Sequence, residues 1–156
     1  MMGNTFNSDS IEQRSLEKEM RQQMCEIAGI DKAYAEVPES VHLTSEPEVS
    51  IAPDLYSESD KVIGEFYAHI GALKPAQKHK IAADALKMIM LEKDKGQKFR
   101  KIIFVCCDEV KKYLEGKSYL AAALRTFGVK VEIIRLSEEQ RQKIIAAQKR
   151  QKMINI

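Results

Sequence analysis

At 156 residues, with 44% hydrophobic and 31% charged side chains, the chain has the size and balance of one globular domain, not of a disordered or fibrous protein. Its formal net charge of +2 hides an asymmetry: residues 1–70 carry 5 basic and 14 acidic side chains, whereas residues 71–156 carry 20 and 9. No apolar run reaches the roughly 18 residues that a membrane-spanning helix needs.

The opening MMGNTFNSDS is polar and lacks the basic start and apolar stretch of a secretory signal. Residues 1–9 are expected to be disordered and residues 10–156 to form a single domain. Cys25, Cys106 and Cys107 show no framework spacing, so a reducing cytoplasm is the expected compartment. Ser8, Asp9 or Ser10 can cap a first helix that runs to about Ala28 and stops at Gly29. Leu16, Met20, Met24 and Ile27 recur at helical spacing and give it one apolar face.

From Asp31 to Ile70 the pattern turns to short β-like pieces. KAYAEV and SVHLTS are weak strands interrupted by Pro38 and Pro47. EVSIAPDLYS and KVIGEFYAHI alternate better, and SESD between them reads as a hairpin turn, so an antiparallel meander is expected. Pro75 suits the first turn of a second helix that runs to about Lys93 and ends at Gly96. KIIFVCC, residues 101–107, is an apolar run of the kind covered on both faces of a sheet. A third helix is expected over roughly Val110 to Phe127, then a strand in VKVEIIRL and a basic amphipathic helix capped by Ser137.

The chemistry gathers in residues 51–71, IAPDLYSESDKVIGEFYAHIG, where Asp54 ends one strand and Glu65 lies inside the next. An acid in a buried strand is costly unless something pairs it, and a metal ion is one such partner. Two carboxylates from adjacent strands can meet at one point and offer hard oxygen ligands to Mg²⁺. Alternation along the strand points Glu65, Tyr67 and His69 to one face, and Gly64 and Phe66 to the other. LEGKS, residues 114–118, ends like a Walker A loop but has lysine where the earlier glycine belongs. Cys106 and Cys107 point to opposite faces of a strand, which suits core packing, and no histidine has zinc-like spacing to them.

The order αβββαβ, with Pro53-Asp54 followed by Glu65-Phe66-Tyr67, resembles the PD-(D/E)XK nuclease superfamily over about residues 10–107. The resemblance implies an α/β fold with a restriction-endonuclease-like αβββαβ core and a mixed central sheet, extended here by a C-terminal helix–strand–helix. It implies Asp54 and Glu65 as ligands for Mg²⁺ (or Mn²⁺), and hydrolysis of DNA phosphodiester bonds. Tyr67 stands where the pattern has its lysine. Some members carry that lysine on the helix after the strands, where Lys74 and Lys78 lie, and Gln77 resembles a glutamine of exonuclease-like members. His69 is a further candidate beside Glu65, and Gln77, Ile81, Asp84 and Met88 share one helix face. The alternative is an inactive module of the same fold whose basic half binds nucleic acid or a partner protein; a homodimer is compatible with either.

Overall fold

The computed structural model describes residues 2–36 and 40–154, and side chains within 14–36 and 40–153. The first helix, expected to be capped at Ser8, Asp9 or Ser10, instead starts at Met2 and takes in residues 2–9, while the break at Pro38 lies outside the described residues. Helix α1 (Met2–Ala28) ends at Gly29, whose φ of 72° is the left-handed turn that glycine adopts without penalty. KAYAEV, expected as a weak strand, instead forms a short 3-10 turn, Lys32–Ala35, because Asp31 accepts the N–H of Ala33 at 2.8 Å.

The meander is broken at the proline. β1 (Val41–His42) pairs with β2 (Ser50–Ile51) in a separate two-stranded sheet, and the chain leaves it at Pro53, which has no N–H to give a ladder. The main sheet is mixed, in the order β3 (Leu55–Ser57), β4 (Val62–Tyr67), β5 (Arg100–Val105), β6 (Val129–Ile133). β3 pairs antiparallel with β4, while β4, β5 and β6 run parallel. The fold is therefore α/β, with five α-helices among the described residues.

Helix α2 (Pro75–Lys95) joins β4 to β5 and stops at Gly96, as its sequence directs. The single third helix expected over 110–127 is two helices, α3 (Asp108–Leu114) and α4 (Tyr119–Thr126). Gly116 lies between them, and Ser118 restarts the helix by accepting the N–H of Ala121 at 3.1 Å. Helix α5 (Glu138–Ile154) starts from a reciprocal cap between Ser137 and Gln140, as expected for a serine there.

Alternation in the central strands divides the core into two layers. Ile63, Ile103 and Val105 pack with Ile81, Met88 and Leu91 of α2 and with Val110, Leu114 and Leu124 of α3 and α4. Val62, Ile102 and Phe104 pack on the other face against Met20 and Met24 of α1. Gly64 permits this second contact: a Cβ there would lie 2.9 Å from Cε2 of Phe104 and 3.3 Å from the Leu55 Cβ. Helix α5 is tied down at two points. Gln140 donates to Glu19 of α1 at 3.2 Å, and the Gln148 amide both accepts the Ile70 N–H (2.7 Å) and donates to its carbonyl (3.1 Å). No described helix is long and apolar enough to cross a membrane.

Candidate functional site

The register Leu55↔Gly64 places Asp54 and Glu65 at the next cross-strand position, so the two acids face each other where β3 begins. Asp54 lies in the bend before β3, half-buried, and its Oδ2 accepts the N–H of Phe66 at 2.8 Å. Glu65 is 5% exposed and touches the Asp54 carboxyl. Its Oε1 is buried and meets no hydrogen-bond donor; among the described side chains only Gln23 and Tyr56 share that condition, and neither is an acid. Two carboxyl groups in contact without a donor between them need a shared proton or a cation. The Glu65 carboxyl is accordingly pushed up to about 9, first by burial, then by the charge and contact of Asp54 and the charge of Asp84.

Helix α2 adds a third acid and two lysines. Asp84 is 5% exposed and lies on the buried stripe of Ile81, Ala85 and Met88. Its Oδ1 is 3.5 Å from Lys87 Nζ and its Oδ2 is 3.8 Å from Lys80 Nζ, with both lysines reaching in from the solvent side. Burial raises the Asp84 carboxyl, the two lysines draw it down, and Asp54 raises it again; the net displacement is upward. Lys87 also exerts a lowering pull on Glu65, so one ammonium acts on both acids. Tyr67 is 7% exposed, and its hydroxyl is pushed up to about 12 by burial and then by Asp84. A tyrosine so held is neutral and supplies no positive charge.

Of the six residues named from the sequence, Asp54 and Glu65 come together, and the other four make their contacts around the start of α2. The Lys74 N–H is accepted by Gln77 Oε1 at 2.7 Å, closing the first turn of the helix. Lys78 places its ammonium 4.6 Å from the centre of the Tyr113 ring, a cation–π contact. His69 is 9% exposed, with Nε2 3.1 Å from the Ala72 carbonyl and its ring tilted against Tyr67 at 5.9 Å. The sequence puts Asp84 on a helix face from which it, like Gln77, can reach a site, but assigns it no part in the chemistry and does not single out Lys80 or Lys87. The available signal was the spacing itself: lysines at i−4 and i+3 flank an acid set in an otherwise apolar stripe.

The donor set suits a hard divalent ion held by one or two carboxylates, which takes its remaining ligands from water or substrate as Mg²⁺ commonly does. Among the described residues no group of three or more histidine, cysteine or acidic side chains is arranged to hold an ion by itself. Comparison with known proteins returns no matching family model, no matching curated protein and no matching solved structure.

Proposed function

We propose that the chain is a divalent-metal-dependent nuclease with a restriction-endonuclease-like core, acting on DNA phosphodiester bonds. The observation that carries this reading is the buried Asp54–Glu65 contact with Glu65 Oε1 left without a donor. Asp54 and Glu65 are the residues that would hold Mg²⁺ or Mn²⁺. Such an ion supplies Lewis-acid polarisation of a phosphoryl oxygen and makes water more acidic. Lys87 takes the electrostatic part of the missing lysine: its ammonium is 3.5 Å from Asp84 and its charge acts on Glu65 as well. Asp84 positions Lys87 rather than touching substrate. Lys80, on the other side of Asp84, adds positive charge where a phosphate backbone would approach.

The test is cleavage of plasmid DNA in Mg²⁺ or Mn²⁺, compared with chelator. Wild-type protein is expected to cut, Asp54→Ala and Glu65→Gln to be inactive, and Lys87→Met to lose about 100-fold in rate. Activity unchanged in Asp54→Ala overturns the assignment. The same ion is expected to raise the melting temperature of wild-type protein, by about 2.7 kcal/mol of added stability at 100 times its Kd, and to leave Glu65→Gln unmoved.

Buried Tyr67 at the lysine position favours a second reading, a module of this fold that binds nucleic acid or a partner protein without catalysis. That reading gains if the protein binds DNA in a salt-sensitive way and no cleavage accompanies it.

A further inference from the structure

The two edges of the main sheet are guarded differently. β3 is three residues long, follows Pro53, and lies beside the loop where the Tyr34 hydroxyl meets Ser59 at 2.7 Å. β6 is five residues long, has no proline, and ends the sheet on the other side. Its outward backbone groups can be identified. The Ile134 N–H bonds inward to the Val105 carbonyl at 2.7 Å, so by alternation Lys130 and Glu132 also bond inward to β5. Val129, Val131 and Ile133 then turn their N–H and C=O groups to the free edge. Lys111 Nζ, 3.4 Å from the Val131 carbonyl, bears this out. A groove of about 510 Å³ runs along this edge, with Leu114, Leu124, Val129 and Val131 among its lining.

The side chains on β6 select one occupant. Lys130 and Glu132 sit on the sheet face away from Val129 and Val131, and neither has an ion-pair partner among the described residues. An antiparallel strand centred on Val131 that is itself a second β6 would set Lys130 opposite Glu132 and Glu132 opposite Lys130. Valine would meet valine at the centre, and Val129 would meet Ile133 on either side. We propose that β6 pairs with β6 of a second copy across a two-fold axis at Val131, joining two four-stranded sheets into one of eight. Every outward N–H and C=O from Val129 to Ile133 gains a partner in that register. Lys111 gives up the Val131 carbonyl and keeps Glu115, which it already holds at 2.7 Å. The opposite charges meet at non-hydrogen-bonded positions, where cross-strand side chains come closest.

The test uses the full chain and its charge pattern, with mass measured by light scattering or sedimentation across a dilution series. Wild type is expected to be a dimer that dissociates on dilution. Lys130→Glu sets acid against acid and Glu132→Lys sets lysine against lysine, so each alone is expected to weaken the dimer by about tenfold or more. Mixing these two variants restores opposite charges at both positions, and the mixture is expected to recover the dimer. The double variant Lys130→Glu/Glu132→Lys is expected to dimerise like wild type, which separates a pairing effect from a folding defect. Wild type that stays monomeric throughout overturns the proposal and leaves the edge to an extended segment of a different protein. A dimer indifferent to Lys130→Glu, or single variants that fail to recover on mixing, also overturns it.

Discussion

Asp84 and Glu92 lie two turns apart on the sheet-facing side of α2, and the molecule treats them in opposite ways. Glu92 has both oxygens answered: Oε2 accepts the Phe99 N–H at 2.9 Å and Oε1 holds the buried Lys101 ammonium. Burial acts to raise its pKa, but these bonds outweigh it and the carboxyl sits below its ordinary range. Around Asp84 the balance is reversed. Asp54, Glu65 and Asp84 act on one another, two exposed lysines flank Asp84 alone, one acid oxygen has no donor, and the Glu65 and Asp84 carboxyls are both displaced upward. A closed ion pair holds strands in place, whereas an acid-rich cluster with an open oxygen has the capacity to take up a cation. The difference separates a buried charge answered within the fold from a cluster left open, which is where the proposed cation would be held.

The largest expected effect breaks the closed pair. Lys101→Ala leaves Glu92 without its cation and opens a void beside β6, and is expected to cost about 3 kcal/mol in urea unfolding. The open cluster is expected to respond with the opposite sign. In metal-free buffer folded wild-type protein keeps a proton on Glu65 up to about pH 9, whereas the unfolded chain releases it above 4.5. Wild-type stability therefore falls as pH rises through that window. Glu65→Gln escapes the loss and is expected to be about 2 kcal/mol more stable near neutral pH, with the gap closing below 4.5. Unfolding curves of the two proteins across pH measure this; parallel curves would mean that Glu65 titrates alike in the folded and unfolded chain, and a gap of opposite sign would place it in the same class as Glu92.

The smallest effect concerns a third acid of the helix, Asp94, which sharpens the contrast from the solvent side. It is exposed, yet it accepts the N–H groups of Thr44 (2.7 Å) and Ser45 (2.9 Å) and the Ser45 hydroxyl (2.8 Å), and sits down at about 2. Its contribution is present above the unfolded value of 3.8 and lost as pH falls through about 2. Asp94→Asn is expected to speed amide hydrogen exchange at Thr44 and Ser45 near neutral pH while leaving global unfolding almost unchanged.

What could be read from the sequence follows physical range. The pairing of Asp54 with Glu65 was legible because strand alternation and a short hairpin fix which residues oppose each other. The ends of α1 and α2 were legible because Gly29 and Gly96 act within one turn. The division of the third helix at Gly116 was missed although its signals, a glycine and a capping serine, are local. The Lys87–Asp84 arrangement was hidden for a different reason. Its meaning depends on which face of α2 lies over β4, and no local rule states that. Lys78 shows the same limit, since its position near the expected site is set by sequence while its partner, Tyr113, is set by packing of α2 against α3.

The clamp of Gln148 on Ile70 has a consequence for biosynthesis. The backbone just after the Glu65 strand is completed by an amide that leaves the ribosome 78 residues later. A nascent chain ending before that point has β4 and its acids but lacks the piece that secures their exit loop. The loop that follows β4 is thereby secured only after α5 has emerged, so the last piece at this end of the sheet to be fixed is also among the last to be synthesised.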